Sequence, residues 1–436
     1  MSHQETTRRH FLTSSVALGA AALAAADAKP LGLFAEGREV LKVGVIGCGG
    51  RGTGAAVNCL DAHPSVRIVA LADAFQDRVN SCRDYLNQIA SEEKDKYGGR
   101  VDLPPERCFV GYEAYRQVLA TDCDLVILAT PPGFRPDQIL AAAQAGKHIF
   151  AEKPVAVDPV GVRKVMEAAK ILDLKKKGFV AGTQRRHQKP YVEMMKAIGD
   201  GAIGDVVSCA VYWNQGALWH KERTPTMTDL EWQCRNWLYF TWLSGDHIVE
   251  QHVHNLDVMC WAMGGPPSKC VSLGGRQVRT DAAFGHIFDH FAVDYEWADG
   301  RHAASYSRQI DGSAGRVGEY ISGTKGHGWA PNKLAAHGPK GAAIWEYTGG
   351  NYTDPYVQEH MDLIASIHAG HPLNESRQIA ESTMLAIMAR MSAYTGQEVT
   401  FDFAMNKSSL DTFPKDMASG QLVVPPVAVP GRTRLV

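Results

Sequence analysis

The chain has no excess charge of one sign, no closely paired cysteines and no long apolar run. Its 436 residues carry 45 Lys and Arg against 47 Asp and Glu, a formal net charge of −2. That balance gives no field for a polyanion, so nucleic acid is not an expected partner. The nine cysteines are scattered and none stands in a CxxC pair. Most of them, such as Cys123, Cys209, Cys260 and Cys270, sit in apolar surroundings. They read as buried small thiols, not as a disulfide framework. Residues 16–26 form a mild, alanine-rich run, much shorter than the roughly 20 apolar residues of a spanning helix. No stable membrane insertion is expected.

What is present is organised around residues 42–52, KVGVIGCGGRG. Val43, Val45 and Ile46 read as a buried strand, and Gly47, Gly49 and Gly52 then fill the GxGxxG positions. Gly47 makes the tight turn, Gly49 leaves room for a pyrophosphate, and Gly52 lets the next helix pack closely on the strand. The phosphates would meet free N–H groups at that helix's N-terminus. A second apolar run, residues 66–72, ends in Asp73, 26 residues after Gly47. A carboxylate there suits the ribose hydroxyls and repels a 2′-phosphate, so the cofactor expected is NAD, with NADP less favoured unless Arg78 folds back to relieve that repulsion.

Strand and helix signals alternate onward. Residues 124–129 read as a strand halted by Thr130-Pro131-Pro132, residues 136–145 as a helix, and residues 148–151 as a strand running into Glu152-Lys153-Pro154. Alternation of this kind means a parallel sheet covered on both faces, with ligands beyond its carboxyl edge. From Val206 the character changes to strands of a second, predominantly antiparallel sheet, with one face free to shape a pocket or meet another subunit. The fold class expected is α/β: an N-terminal dinucleotide-binding domain, residues 40–155, and an α+β domain, residues 156–403, with a large open sheet. Residues 213–242 form an aromatic insertion holding Trp213, Trp219, Trp232, Trp237 and Trp242. Indoles stack on sugar faces, and they equally bury a loop excursion; Trp213 and Trp219 are the candidates for substrate contact. Residues 404–436 read as an extended arm on this chain or a neighbour.

Residues 248–263 read as one helix. Glu250 and His254, four apart, would share a face, with the carboxylate fixing the imidazole as a general base. Lys153, at a strand end, can steady an alkoxide. A metal reading competes, because His247, Glu250, His252 and His254 crowd together. On a helix, however, His252 points away from the 250/254 side, and HExxH order is absent, so no metal is expected.

These landmarks fall in a familiar order: the glycine motif, TPP at 130–132, AGKHIFAEKP at 145–154, GTQRRH at 182–187, and His254-x-x-Asp257. The chain resembles the glucose–fructose oxidoreductase / inositol dehydrogenase family of NAD(P)-dependent enzymes from Lys42 to about Phe403. The resemblance implies a Rossmann domain and oxidation of a carbohydrate or cyclic polyol. It implies Lys153 and His254 as catalytic groups, with Glu250 where the family usually carries aspartate. Cofactor contacts are expected from Gly47, Gly49, Gly50, Arg51, Gly52, Asp73, Arg78, Thr130, Pro131, Glu152 and Lys153, and substrate contacts from Arg186 and Asp257. Arg135 stands where members commonly show histidine, which would alter how the nicotinamide end or an anionic substrate is held. The alternative function is redox-assisted glycoside cleavage with a tightly held NAD. A homo-oligomer, dimer or tetramer, is expected.

The N-terminus carries its own resemblance. Arg8 and Arg9 precede Phe11 and Leu12, followed by the apolar run and by small residues at Ala26 and Ala28. TTRRHFL resembles a twin-arginine export signal, with residues 1–28 removed and 29–39 a linker. The expected location is periplasmic or extracellular, reached after folding, which suits a protein that acquires a nucleotide inside the cell.

Overall fold

The structure, a computed structural model, describes residues 40–338 and 340–436. The expected signal and linker, residues 1–39, lie outside the described residues.

Near-continuous apolar runs make the first layer. Strands β1 (Leu41–Ile46), β2 (Val66–Asp73), β3 (Cys108–Val110), β4 (Leu125–Leu128), β5 (His148–Ala151) and β6 (Phe179–Ala181) form a sheet in the order β3-β2-β1-β4-β5-β6. Every neighbouring pair is parallel. All four residues of β4, LVIL, are buried, as helices on both faces require. The covering helices include α1 (Gly50–Ala62), α2 (Gln76–Glu92), α3 (Arg135–Gln144) and α4 (Pro159–Lys175). This is the Rossmann strand order. The sheet runs past residue 155, because Phe179 to Ala181 pair with Ile149 to Ala151.

The second sheet has nine strands: β7 (Val206–Gln215), β8 (Lys269–Gly275), β9 (His290–Glu296), β10 (His302–Gln309), β11 (Arg316–Gly323), β12 (Gly326–Ala330), β13 (Lys333–Ala336), β14 (Ala343–Glu346) and β15 (Val399–Thr400). Their order is β14-β13-β12-β11-β7-β10-β9-β8-β15. Only β7 and β10 run parallel; the other described pairs are antiparallel. Strand alternation puts Ala303, Ser305 and Ser307 of β10 inward, toward helices that separate this sheet from the first.

The later helices are α5 (Lys189–Gly199), α6 (Asp229–Arg235), α7 (His247–Glu250), α8 (Val253–Met263), α9 (Pro355–His368) and α10 (Ser376–Thr395), of which α5, α7, α8 and α10 pack on the second sheet. Almost every residue of α10 is buried, and it packs on α4, α8 and β8. Helix α9 returns to pack on α1, adding Leu363 and Ile364 to the first sheet's core.

The single helix expected over 248–263 is two. It breaks at Gln251 and His252, whose side chains are drawn to the second sheet. Gln215 and Gln309 both donate amide N–H to Gln251 Oε1, at 3.0 and 2.7 Å, and His252 Nε2 lies 2.7 Å from Ser305 Oγ. The C-terminal arm lies on its own chain. Thr412 donates twice to Asp158, and Leu422 bonds both Asp229 and Gln233.

Candidate active site

The glycine loop does three separate jobs. Gly47 adopts φ +95°, and a Cβ there would stand 2.5 Å from the Thr130 amide nitrogen. A Cβ on Gly52 would meet the Gly47 carbonyl oxygen at 1.7 Å, so helix and turn touch. At Gly49 and Gly50 a Cβ would meet nothing within 4 Å. That open space faces the start of α1, whose first amides have no side-chain cap. It is a cradle suited to a pyrophosphate. Asp73 ends β2, its Oδ2 accepting the Cys48 N–H at 2.7 Å and its Oδ1 the Phe75 N–H at 3.0 Å. Burial raises its pKa. The two backbone bonds aim the carboxylate into the cleft it lines.

That cleft has a volume of about 470 Å³ and also takes in Arg51, Arg78, Thr130 and Pro131. Thr130 Oγ1 donates to Gln138 Oε1 at 2.7 Å. The donor set and the cradle fit a dinucleotide. Trp219, expected against a sugar, lines this cleft instead, together with Lys221, Arg235 and Trp237 of the same insertion. Chain distance hid this. The insertion leaves the second sheet and lies across the first domain.

Beyond the carboxyl end of β5 lies a dense ionic cluster. Glu152 is buried and accepts from Arg51, whose Nη2 reaches Glu359 Oε1 at 3.1 Å. Burial, with Glu152 close by, holds the Glu359 carboxyl well above the usual carboxylate range. Lys153 Nζ donates to Glu250 Oε1 at 2.8 Å and to its carbonyl at 2.5 Å. Glu250 therefore pairs with Lys153, and no hydrogen bond joins it to His254 among the described residues. The broken helix is the reason, since the four-residue spacing no longer describes one face.

His254 is buried against Trp213, the two rings stacked at 5.8 Å with 20° between planes. Its Nδ1 is shut off without a partner, leaving Nε2 as the nitrogen turned to the site. Burial first, then the charges of Lys153, Arg185 and Arg51, hold its pKa well below 6.5. It is a neutral imidazole at neutral pH. Arg185, unremarked in the sequence beyond its motif, makes a buried ion pair with Glu319 and lies 5.9 Å from the Trp213 ring. Nothing local signals that pair, because its members are 134 residues apart.

Arg186 and Asp257 meet each other. The guanidinium donates from Nε and Nη2 to the carboxylate at 2.8 and 3.0 Å and lies 4.4 Å over Trp261. Asp257 is 1% exposed and also accepts from Ser382 at 2.7 Å. Its oxygens are engaged inside the helix layer, not presented to a substrate. Arg135 is buried too, donating from Nη1 to the carbonyls of Glu152 at 3.0 Å and Pro154 at 2.7 Å. It braces the peptide on either side of Lys153. Burial lowers its pKa to about 10, so it remains charged. His247 is buried beside Asp246 and His252 is bound to Ser305. Among the described residues no cluster of three or more His, Cys, Asp or Glu has metal-holding geometry, and no described helix is long and apolar enough to cross a membrane.

Comparison with known proteins adds the family. Residues 41–176 match an oxidoreductase family with an NAD-binding Rossmann fold, and residues 191–328 match the GFO/IDH/MocA C-terminal domain. The chain belongs to the GFO/IDH/MocA family. The part matched first is that family's NAD-binding domain. An uncharacterized oxidoreductase of Streptococcus pneumoniae is 31% identical over 212 residues, 48% of this chain and 52% of that protein. The chain thus spans about half the length of that relative. Inositol 2-dehydrogenase of Rhizobium meliloti is 26% identical over 347 residues, 76% of this chain and 89% of that protein. In fold the family member resembles scyllo-inositol dehydrogenase from Lactobacillus casei, solved with NAD(H) and scyllo-inositol. The TM-score is 0.60 at 18% identity, over 83% of this chain and 99% of that one.

Proposed function

We propose that this protein oxidises a ring hydroxyl of a sugar, glycoside or cyclic polyol, using NAD in preference to NADP. The observation that carries the reading is the meeting of Lys153, Glu250 and neutral His254 beyond the sheet edge that holds the glycine cradle. The naming of two relatives as inositol dehydrogenases supports the substrate class, since inositol is a cyclic polyol.

When bound, NAD supplies the two-electron acceptor that leaves a carbonyl on the substrate. The chain's residues do the rest. His254 takes the hydroxyl proton at Nε2, which its depressed pKa leaves free to accept. The Lys153 ammonium donates to the same oxygen as negative charge develops there. Glu250 orients that ammonium through its carboxylate and carbonyl. Trp213 fixes the plane of the imidazole by stacking on it. Asp73 supports NAD over NADP, because a carboxylate at the ribose end opposes a 2′-phosphate.

The test is a screen of sugars, glycosides and cyclic polyols on purified protein, following nucleotide absorbance and product together. Stoichiometric NADH and ketone support the reading. Product cleaved without net NADH replaces it with transient oxidation, and no turnover on any member of the class rejects it.

The second sheet's outer face exposes Val271, Leu273, Tyr306 and Trp329, an apolar surface of the kind that subunits cover. Sedimentation should return a dimer or tetramer. Export is expected to depend on Arg8 and Arg9; replacing both with lysine should strand the precursor in the cytoplasm.

A further inference from the structure

We infer that the aromatic insertion is the outer wall of the dinucleotide site, and that its stacking face and its latch slow the release of the cofactor. The inference rests on the cleft being the NAD site and adds a function to residues 219–237, which lie outside the family's Rossmann segment.

Four observations carry it. First, Trp219, Lys221, Arg235 and Trp237 line the same cleft as Gly49, Asp73 and Thr130. Second, the insertion is latched to the first domain at the ribose end. Arg235 donates from Nη1 and Nη2 to the two oxygens of Asp77, at 3.1 and 3.0 Å, and lies 4.1 Å over the Phe75 ring. Phe75 is two residues past Asp73. Third, the insertion is docked tightly at the other end. A Cβ on Gly133 would stand 1.9 Å from the Trp242 carbonyl oxygen, and Phe134 meets the Trp242 ring at 5.6 Å. Fourth, the insertion has its own core, in which Leu230, Trp232, Phe240 and Leu243 pack with Phe75 and Tyr112 on one side and Phe413 of the arm on the other. A segment fixed at both ends and underpinned from behind is a wall, not a flap.

What the wall presents is chemically apt. Trp219 is 46% exposed, unusual for an indole in a built cleft. It meets Trp237 edge to face at 6.3 Å, offering a face to a flat aromatic base. Lys221 makes no ion pair among the described residues and is free to meet a phosphate. By contrast Arg235 is spent on the latch, with Asp77 raising its pKa further. Dissociation of the dinucleotide would then have to break the contacts that the latched wall makes with it.

The experiment measures release, not turnover. NADH is loaded onto full-length wild-type protein, Trp219→Ala and Arg235→Ala, and its dissociation is followed by displacement with excess NAD. Energy transfer from tryptophan to bound NADH is recorded alongside. Each variant should release NADH roughly tenfold faster than wild type or more, the scale of one lost base-stacking contact. Trp219→Ala should also weaken the energy transfer. Should Arg235→Ala fail to fold, Asp77→Asn cuts the same latch from its exposed side. Unchanged release in folded variants of both kinds overturns the wall while leaving the NAD site standing. Wild-type protein that binds no dinucleotide at all overturns the cleft assignment and this inference together.

Discussion

Two ion pairs, Lys153–Glu250 and Arg186–Asp257, look alike on paper and differ in the folded chain. Both join a residue just past a parallel strand to one on the helical stretch 247–263. In the first, lysine and glutamate keep 14% and 12% side-chain exposure, and His254 stands close enough to feel the ammonium charge. In the second, the carboxylate is 1% exposed, bonded to Ser382 as well, and the guanidinium is capped by Trp261. A cation and carboxylate at a strand end are therefore no signature of chemistry by themselves. What distinguishes the active pair is the imidazole beside it, buried against Trp213 and within reach of the ammonium charge. The Lys153 ammonium keeps one N–H beyond its two bonds to Glu250, whereas the Asp257 carboxylate is held by Arg186 and Ser382.

The strongest way to break that comparison is to remove each cation. Lys153→Ala and His254→Ala should each lower turnover by about 10²–10⁴, the usual value of a positioned acid–base group, with dinucleotide affinity and melting temperature close to wild type. Arg186→Ala should do the reverse, leaving Asp257 as an uncompensated buried charge at a cost of about 3–5 kcal/mol in unfolding free energy. Denaturant unfolding beside kinetics separates the two. Normal stability with lost turnover in Arg186→Ala would return that residue to the substrate site.

A smaller effect sharpens the picture around Lys153. Arg135→Gln removes the brace on the carbonyls of Glu152 and Pro154, and a misplaced catalytic group costs about 10²-fold. The loss should fall on kcat more than on KM, and Arg135→Lys should recover part of it. An equal loss in a mutant that no longer melts cooperatively would make Arg135 a folding residue only.

The pH dependence separates the same regions more gently. His254 acts as a base only when neutral, so kcat/KM should fall on acidification with a midpoint below 6.5, since its pKa lies well below that value. In addition, burial lowers His148 and His286 to about 4 and His252 to about 3. The unfolded chain binds these protons first, so stability should decline as pH falls below about 6.5. His187 opposes the trend. Despite burial, Glu375 and Asp362 hold its pKa well above 6.5, so its contribution persists in acid and is lost as pH rises through the folded value. Melting curves from neutral pH down to pH 4 check the net sign.

The smallest effect is expected at Asp73. Asp73→Ala should reduce the preference for NAD over NADP by about tenfold, near 1.4 kcal/mol, read from dissociation constants for both nucleotides.

The elements legible in the sequence are those whose cause is local. Apolar runs closed by Gly47, Thr130-Pro131 and Pro154 marked β1, β4 and β5 to within two residues, because a strand buried on both faces writes itself as consecutive apolar residues. The glycine cradle was legible for the same reason, since a turn with φ +95° is a property of one residue. In the second sheet β9 was readable from period-two alternation, with Phe291, Val293 and Tyr295 buried, whereas the inward faces of β10 and β11 carry Ser305, Ser307 and Glu319 and show no apolar period. Boundaries that depend on distant partners were not. β6 belongs to the first sheet only because Ile149 and Phe150 lie beside it.

By itself, then, the sequence determined the two sheets, the dinucleotide turn and the identity of Lys153 and His254 as candidates. The tertiary structure decided who partners whom. Helical spacing assigned Glu250 to His254, yet Gln251 and His252 are pulled onto β7 and β10, the helix breaks, and Glu250 turns to Lys153. Composition sent the tryptophans toward a sugar, yet the latch from Arg235 to Asp77, 158 residues away, lays Trp219 along the dinucleotide cleft. Arg51 reaches Glu359 across 308 residues. Periodicity records which face of an element is buried. Against what it is buried depends on how the loops close and the layers pack, and no local pattern carries that information.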